Sequence, residues 1–473
     1  MAFNHGVTVS ESGETIASVT GTATGVIGII GTAPDADKAT WPLNTPVQLL
    51  SIGGASTLGT AGTLYDAIDS IYGIVECPVI VVRVDTADTQ TGLWSNVVGD
   101  SATYTGVHAF TRAQSDGLYK PKLLIAPGMT GASAPDGIAS ATVTTGGSGY
   151  TTATVTIAGN GTGAVAEAVL SGGAISAITI TEPGYGYTTA TISIEGDGSG
   201  AVAIASVGET INPVVSELLS VADKLWAMAY IDGPGTTDAD AVKFRGLLSD
   251  ERAFIIDPPV LKYDTGQSAN VTTPASPFWV AQQVLYDQEY GPHWAASNVV
   301  IDGITGVNRP VSYGTESNYL NENRINTIIN RNNTGFRLWG VWTCSSNSLW
   351  QFVSVRRVAD MINEGLREVY FSYLDRPFTT ANLKLLLESA KSYLQGLSEK
   401  GVILPSSYSV AFSKANTAAD MSQGIIQLDV AFEPPAPMTD IQITTYRNTA
   451  AYTLLLTAAS ASVTSSSNAT TSS

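Results

Sequence analysis

Charged side chains are scarce in this chain. They make up 14% of its residues, well under the roughly 25% of an average globular protein. Asp and Glu number 41 against 23 Lys and Arg, so the formal net charge is −18. Because nucleic-acid binding needs clustered Lys and Arg, this balance argues against direct contact with nucleic acid. A surface with so little charge suits either burial between subunits or a neutral coat of Gly, Ser and Thr.

Cysteine and histidine are also rare. Cys77 and Cys344 lie far apart in the sequence, which fits neither a disulfide framework nor a zinc pattern. The three histidines, His5, His108 and His293, do not form an HExxH spacing, and no GxSxG motif occurs. The sequence therefore predicts no metal site, no cofactor and no hydrolytic centre of a familiar kind.

Long apolar runs are missing as well. No run approaches the 18 residues that a membrane-spanning helix requires. The opening MAFNHGVTVSES has neither the basic nor the apolar region of a signal peptide. We therefore expect no membrane insertion and no secretory leader.

Strand-like and helix-like segments alternate through much of the chain. The predicted strands cover 24–30, 79–84, 122–126, 226–231 and 253–256. The predicted helices cover 64–72, 213–224 and 238–247, the last of them capped near Thr237. This order predicts a mostly parallel, doubly wound sheet.

The C-terminal half shows longer helical patterns. They are expected over 280–286, 319–330, 349–371 and 383–397. Strands are expected near 425–432 and 441–446, and a Ser/Thr/Ala tail to Ser473 is predicted to be disordered.

A Gly-rich stretch over 141–207 interrupts the α/β pattern, with 13 glycines and no Lys or Arg. GYTTATVTIAGNGTGAVA begins at Gly149, and GYTTATISIEGDGSGAVA begins 37 residues later at Gly186. The alternation in TATVTI and TATISI predicts strands joined by glycine turns. We predict an inserted all-β module of two similar units. Because an insertion into a surface loop costs the host fold little, we interpret this module as a decoration.

The glycine runs GNGTGA and GDGSGA leave two binding alternatives open. A phosphate-binding loop follows a strand and opens a helix, whereas both runs lie between strand patterns. Asp197 among glycines faintly resembles a calcium-binding β-roll turn, but the other copy has Asn160 at this place. Two simple turns are the favoured interpretation.

Three further residues invite a catalytic hypothesis. Asp232 and Asp257 end two predicted parallel strands, and α/β enzymes place their sites at such ends. Pro/Gly turns follow both residues, and an Asp before such a turn commonly bonds its own backbone. Cys344 opens TCSSNS, yet nothing marks His108 or His293 as its base. We predict structural roles for all three and no catalytic residue.

Several segments occur in a fixed order along the chain. They are HGVTVSESGETIASVTGTATGVIGIIGTAPDAD with WPLNTPVQLL, PKLLIAPG, LLSVADKLWAMAYIDGPGTTDADAV with FRGLLSDERAFIIDP, ASNVVIDGITGVNRPVSY with YLNENRINTIINRNNTGFRLWGVWTCSSNSLWQFVSVRRVADMINEGL, and ILPSSYSVAFSKANTAADMSQGIIQLDVAFEPPAPMTDIQITTYR. Together they resemble the contractile tail sheath family of phages, R-type pyocins and related injection systems. The resemblance covers roughly 1–130 and 208–447. It leaves out the 141–207 insertion, and the chain continues past the family's usual end near Arg447.

The resemblance implies a mechanical part without catalysis. Subunits of such a sheath stack around a tail tube in a high-energy extended state, and a baseplate trigger lets them contract and drive the tube through a cell envelope for genome delivery. The implied partners are further copies of the chain, the tail tube protein, and the baseplate and tail terminator proteins. No cofactor, nucleic acid or membrane insertion is implied. The implied location is the virion tail, after assembly in the cytoplasm of a bacterial host.

The resemblance also implies how the subunits are linked. Arms at the two termini add strands to the C-terminal domain sheet of a neighbour. The arm residues singled out here share an alternating apolar pattern: Val7, Val9, Ile441, Ile443 and Tyr446.

A helix of the C-terminal domain is implied to touch the tube. The two candidates are the predicted helix 319–330, with Arg324, and the predicted helix 383–397, with Lys384 and Lys391. Arg356 and Arg357 are expected to face carboxylates, either within the subunit or across an interface.

The expected fold is α/β, or α+β overall. It combines a doubly wound, Rossmann-like core, a C-terminal α/β domain with extended arms, and the inserted all-β repeat domain. The predicted boundaries are 1–20 for the N-terminal arm, 21–120 for an N-terminal α/β domain, 121–140 and 208–310 for the doubly wound core, 141–207 for the insertion, 311–437 for the C-terminal domain, and 438–473 for the C-terminal arm and flexible tail.

Three alternatives stay open at this point. The sheath of a phage-like bacteriocin or contractile injection system shares the same mechanism. An α/β enzyme would use the edge formed by Asp232 and Asp257. An adhesin would use the 141–207 repeat as a glycan-binding module.

Overall fold

The computed structural model describes residues 24–332 and 334–468, with side chains up to residue 460. Contacts divide the chain into a main unit, Met1–Pro437, and a C-terminal unit, Met438–Ser473. The predicted N-terminal arm with Val7 and Val9 lies outside the described residues.

The described residues form twenty strands and ten α-helices. The strands are β1 (Ile27–Thr32), β2 (Pro46–Leu49), β3 (Val79–Val84), β4 (Leu123–Ile125), β5 (Ala134–Ser148), β6 (Ala153–Gly159), β7 (Thr162–Ser171), β8 (Ala174–Tyr185), β9 (Ala190–Gly196), β10 (Ser199–Thr210), β11 (Met228–Asp232), β12 (Ala253–Ile256), β13 (Val260–Asp264), β14 (Ala269–Thr273), β15 (Val299–Val300), β16 (Gly306–Val307), β17 (Ile325–Asn330), β18 (Phe336–Trp339), β19 (Ser409–Phe412) and β20 (Leu428–Ala431). The helices are α1 (Leu64–Tyr72), α2 (Gln90–Val98), α3 (Pro213–Leu225), α4 (Asp238–Gly246), α5 (Ser276–Glu289), α6 (Glu316–Glu322), α7 (Val353–Phe371), α8 (Thr380–Glu399), α9 (Ala418–Ser422) and α10 (Ala451–Asn468).

A nine-stranded sheet forms the centre of the main unit, in the order β15-β18-β17-β12-β11-β4-β1-β3-β2. Its six central strands are parallel, from β17 to β3, and the flanking strands β2, β15 and β18 are antiparallel to their neighbours. Every residue of β1 and β3 is buried. Continuous apolar strands of this kind are typical of parallel sheets that are covered on both faces.

Two apolar cores lie on the two faces of this sheet. Along β3, Ile80 and Val82 belong to one core, whereas Val79 and Val81 belong to the other. This alternation follows from the period of two in a strand. Helices α2, α3 and α4 contribute to the first core, and α1 and α5 contribute to the second.

Two side-chain caps fix where helices start. Asn212 accepts a hydrogen bond from the Val215 N–H at 3.0 Å, and Pro213 follows it at the first helical position of α3. The Thr237 side chain accepts from the Asp240 N–H at the start of α4, as the sequence predicts. Such caps satisfy backbone donors that have no partner inside the helix.

Strands β5 to β10 lie between β4 and α3, where the sequence predicts the insertion. We call residues 134–210 the β module. Its first and last strands pair with each other, with Ala134 opposite Thr210, so the chain leaves and re-enters the main sheet at neighbouring points. Tyr185 of the module packs edge-on against Trp94 of α2, with ring centroids 6.3 Å apart.

The two repeats of the β module pair with each other through their strands. Strand β6 of the first pairs with β9 of the second, while β5 pairs with β10 and β7 with β8. Asn160 accepts hydrogen bonds from the backbone of Thr188 in the second repeat, and Asp197 accepts them from the backbone of Thr151 in the first. The turns that raised the calcium alternative are thus held by their own chain.

The prediction of one helix over 319–330 is wrong. Helix α6 ends at Glu322, and 325–330 form β17, which pairs with β12 and β18. Arg324, with φ of +61°, reverses the backbone between the two elements. The sequence INTIIN is rich in β-branched residues, and its isoleucines are buried in the sheet.

The C-terminal part of the main unit has a smaller core of its own. Helices α7 and α8 pack together through Val358, Ile362, Ala390 and Leu394. The antiparallel hairpin of β19 and β20 covers this core.

The C-terminal unit differs from its sequence prediction. Residues 441–446, predicted as a strand, have no regular secondary structure. The tail that is predicted to be disordered contains α10, because YTLLLTAASA is rich in the good helix formers Leu and Ala.

Candidate assembly interface

The carboxyl ends of the parallel strands carry two buried aspartates that bind their own chain. Asp232 accepts hydrogen bonds from the backbone N–H and the hydroxyl of Ser276, at 2.8 and 2.6 Å. Asp257 accepts one from the Gly235 N–H at 2.7 Å and forms an ion pair with Arg309. Burial raises the pKa of each carboxyl to about 6. Both side chains tie loops together at this edge of the sheet.

Cys344 is fully buried in the core between the sheet and α3. Burial raises the pKa of its thiol to about 12, far from the range of a nucleophilic thiolate. The polar side chains that follow Cys344 form hydrogen bonds with the backbone. The Ser345 hydroxyl donates to the Asn347 carbonyl, and the Asn347 side chain accepts from the Leu349 N–H. The segment caps the turn that leads into α7.

The described ranges contain neither a metal-binding cluster nor a membrane-spanning helix. No group of three or more His, Cys, Asp or Glu side chains in them is arranged to hold a metal ion. None of the helices described there is long and apolar enough to cross a membrane.

The hairpin of β19 and β20 presents open edges. Its strands pair with each other from Ser409 opposite Ala431 to Phe412 opposite Leu428, and neither pairs with a third strand among the described residues. Val410 and Val430 face the α7–α8 core. An uncovered strand edge carries unpaired N–H and C=O groups and accepts further strands.

The C-terminal unit supplies an unpaired apolar segment. Ile441, Ile443 and Tyr446 are exposed by 70%, 79% and 87%. Two isoleucines spaced two residues apart lie on the same face when a segment is extended. These three residues are the C-terminal arm residues named in the sequence analysis. Their exposure leaves all three side chains free to bind another surface.

The structure pairs Arg356 and Arg357 within the chain. Arg356 donates to Glu251 at 2.7 Å and to Asp360 at 2.9 Å. Arg357 forms two hydrogen bonds with Asp287 of α5, of which Nη1–Oδ1 measures 2.8 Å. Both guanidinium groups lie between α7 and the rest of the main unit, so these charges fasten the helix internally.

The two tube-contact candidates differ in setting. Arg324 stacks over the Trp342 ring, 4.5 Å from its centroid, and donates to Gln351 at 2.9 Å. Lys384 and Lys391 are exposed on α8, seven residues apart and therefore on one face of that helix. Of the two candidates, α8 is the helix that presents cations to its surroundings.

Sequence reasoning missed two features of this region. One is β19, although the alternation in SYSVAFS at 407–413 signals a strand. The other is Glu364 of α7, which binds Lys120 and Lys122 at 2.5 and 2.6 Å. No local pattern reveals a pair that joins residues more than 240 positions apart.

No family model matches the chain. The tail sheath protein of Escherichia phage P2 is 25% identical over 457 residues, which cover 93% of this chain and 94% of that protein. The tail sheath protein of Burkholderia phage BcepMu is 29% identical over 487 residues, covering 93% of this chain and 96% of that protein.

A solved structure shares the fold. The helical sheath of the anti-feeding prophage in its contracted state has a TM-score of 0.60 at 15% identity, covering 95% of this chain and 100% of that one. The sequence relatives span nearly the whole chain, and the open hairpin and free apolar segment suit a subunit that joins others. Over nearly its whole length the chain is thus similar in sequence to phage tail sheath proteins, and it shares the fold of a contractile sheath.

Proposed function

We propose that the chain polymerises around a tail tube, and that the terminal arms of neighbouring subunits add strands to the β19–β20 hairpin. The observation that carries this proposal is an open hairpin in the main unit combined with a free apolar segment, Ile441 to Tyr446, in the C-terminal unit. Strand addition gives the unpaired backbone groups of both partners hydrogen bonds. The N-terminal arm around Val7 and Val9 is the proposed second strand.

The strength of one such link follows from its size. Several backbone hydrogen bonds along the arm contribute about 0.5–1.5 kcal/mol each. Burying Ile441 and Ile443 adds about 1.5–3 kcal/mol for each side chain. Fixing the arm costs about 1–2 kcal/mol of backbone entropy per residue. A single link is therefore modest, and the polymer is held by many links repeated along its length.

The buried ion pairs of α7 support motion of the main unit as one body. Arg252 binds Asp360 at 2.6 Å, and Glu364 binds two lysines of the segment before β4. Breaking a buried pair costs several kcal/mol, so the C-terminal domain stays attached to the core. We propose that the arms absorb the change during contraction while each main unit turns as a whole.

Contraction of a sheath must release free energy. If it buries a few hundred Å² more per subunit, roughly 25 cal/mol per Å² yields several kcal/mol each, before costs. Summed over many subunits, this suffices to drive a tube through a cell envelope without a nucleotide. We propose that this energy is stored when the extended sheath assembles.

The remaining partners follow from this role. We propose the tail tube protein as the partner of the α8 face with Lys384 and Lys391, and the baseplate and tail terminator proteins as partners at the sheath ends. We propose that assembly takes place in the cytoplasm of a bacterial host and that the finished sheath is part of the virion.

We also propose the domain boundaries given above, with a doubly wound, Rossmann-like core and the 141–207 insertion as an outward decoration. An outward module leaves the tube surface and the subunit contacts clear. Its three aromatic side chains, Tyr150, Tyr185 and Tyr187, are buried. A glycan-binding module needs exposed rings on which a sugar stacks, so this packing favours decoration over adhesion.

The sheath of a phage-like bacteriocin or contractile injection system is the alternative, because solved sheaths of such systems share the fold. Genes for capsid and terminase beside the gene of this chain distinguish a phage from the alternative.

The proposal is tested by purifying the full chain and imaging it by negative-stain microscopy. We expect hollow, striated tubes. A soluble monomer that never polymerises, at any concentration or ionic strength tried, contradicts the proposal.

A further inference from the structure

Free positive charge is scarce on the surface of this protein. The net charge is −18, and the β module has six carboxylates and no Lys or Arg. Most of the arginines described above form ion pairs with carboxylates of the same chain. A site where cations outnumber carboxylates is therefore unusual here.

Such a surplus occurs where α7 meets the segment before β4. Lys120, Lys122 and Arg367 converge on one carboxylate, Glu364, at 2.5, 2.6 and 3.9 Å. Burial lowers the pKa of Lys122 to about 8, and the charge of Lys120 adds to this effect. One carboxylate thus faces three cations.

An open pocket of about 420 Å³ adjoins this cluster. We call it the cationic pocket. The residues that define its chemistry combine three cations with hydrogen-bonding side chains: Lys120, Lys224, Arg367, Tyr104, Thr111 and Gln114. Lys224 is exposed, and the Arg367 side chain is 47% exposed, so both can reach a further partner.

The cations are held in place before any partner arrives. The Lys120 ammonium and the Arg367 guanidinium both lie over the Trp226 ring, 5.6 and 5.2 Å from its centroid. Cation–π contact restricts these long side chains, which reduces the entropy that binding costs.

Carboxylates on the other side of the pocket do not cancel the surplus. Glu217 lies 3.2 Å from His108, which lines the pocket. Asp100 lies near the same histidine. Three cations, Lys120, Lys224 and Arg367, line the pocket itself, and no Asp or Glu is among its lining residues. The pocket therefore attracts an anion.

We infer that the cationic pocket receives an exposed acidic segment of a second copy of this chain. The inference rests on the proposed function, which brings copies together in large numbers. It is favoured because the chain itself is the most abundant source of carboxylates in such a polymer. Asp85 and Asp88, for example, are exposed in one loop, and the nearby Arg83 is buried and donates to backbone carbonyls. Opposite charges meeting in this way fix the register between subunits.

Charge reversal tests the inference. The variant Lys224→Glu/Arg367→Glu should raise the concentration needed for polymerisation roughly tenfold. The matched control Lys38→Glu/Lys400→Glu changes the same number of charges at two exposed lysines outside the pocket and should polymerise like the unaltered chain. Polymerisation of the pocket variant at the unaltered concentration overturns the inference. If the reversed variant fails to fold, Lys224→Gln/Arg367→Gln takes its place with the same outcomes.

Cross-linking identifies the occupant directly. Chains labelled with ¹⁵N and unlabelled chains are mixed, polymerised and treated with a carbodiimide, which joins an amine to a carboxylate in contact. We expect mixed-isotope peptides that join Lys224 to an Asp or Glu of another copy. Peptides that join Lys224 to Glu217 of its own chain alone overturn the inference. A rise in melting temperature of the unassembled chain with millimolar phosphate or glutarate, lost in the pocket variant, would assign the pocket to a free anion instead.

These outcomes are separate from those of the proposed function. If the unaltered chain forms no tubes, the proposed function fails. If the unaltered chain forms tubes and the pocket variant forms them equally well, only the inference about the pocket fails.

Discussion

Replacing Arg357 by Met tests how firmly α7 is attached to the core. The guanidinium is buried against Asp287 of α5, whose side chain is only 4% exposed. Methionine keeps an unbranched apolar stem and removes the charge, so Asp287 stays buried with the Gln283 amide still donating to it at 3.0 Å. Removing one partner of a buried pair costs about 3–5 kcal/mol, because the other charge is left uncompensated. We expect Arg357→Met to lower the free energy of unfolding of the subunit by that amount.

Urea unfolding of the unassembled subunit, followed by tryptophan fluorescence, measures this loss. Arg112→Met is the matched control, because Arg112 pairs at 2.8 Å with Asp116 on the surface, with the two side chains 40% and 33% exposed. A pair of that kind contributes about 0–1 kcal/mol. Adding Asp287→Asn to Arg357→Met should restore part of the lost stability. A loss for Arg357→Met no larger than that for Arg112→Met refutes the reasoning that α7 is fastened by buried charge.

Three further outcomes are expected. Ile441→Asp/Ile443→Asp should abolish tube formation in negative-stain images while the melting temperature of the subunit stays unchanged; normal tubes would show that this segment is not an arm. Lys384→Glu/Lys391→Glu should leave tube-free polymers intact and weaken co-sedimentation with the tail tube protein, whereas unchanged co-sedimentation would remove α8 as the contact. Burial raises the pKa of Asp232 to about 6, so the folded state binds more protons than the unfolded state between pH 4 and 6, and stability from this carboxyl rises as pH falls. Relative to Asp232→Asn, the unaltered subunit should therefore gain about 1 kcal/mol between pH 7 and pH 5 in urea unfolding, and equal pH dependence of the two proteins would contradict this.

Local patterns in the sequence predict the central strands and helices well. Strands β3 and β12 and helix α1 have the bounds that their apolar patterns predict. These elements have one dominant period and a clear turn at each end. The repeat over 141–207 also predicts strands at the places of β6 and β9, because TATVTI and TATISI alternate without interruption.

Elements whose form depends on distant partners are harder to predict. The apolar residues of 325–330 continue the helical spacing that begins at 319–322. They form β17 instead, because β12 and β18 offer hydrogen-bonding edges. Strands β5 and β10 extend beyond the predicted 141–207 at both ends, because they continue to pair as far as Ala134 opposite Thr210. The apolar periodicity within one segment contains no information about which distant strand that segment will pair with.

The sequence predicts one side of the proposed interface, the arm, but not the hairpin that would receive it. The alternate apolar residues of 441–446 predict an arm, whereas the receiving hairpin requires knowledge that β19 and β20 pair and remain open. The cationic pocket depends on residues from 104 to 367 meeting in space. The fold of the main unit brings these residues together, and no local sequence motif predicts that they meet.

The most direct test is a cryo-EM reconstruction of the polymer at a resolution that separates strands. The account predicts that the sheet at β19 and β20 has four strands there, with the two added strands contributed by other copies of the chain and one of them containing Ile441 and Ile443. A hairpin that stays two-stranded in the polymer, or that is completed by strands of its own chain, would contradict the account.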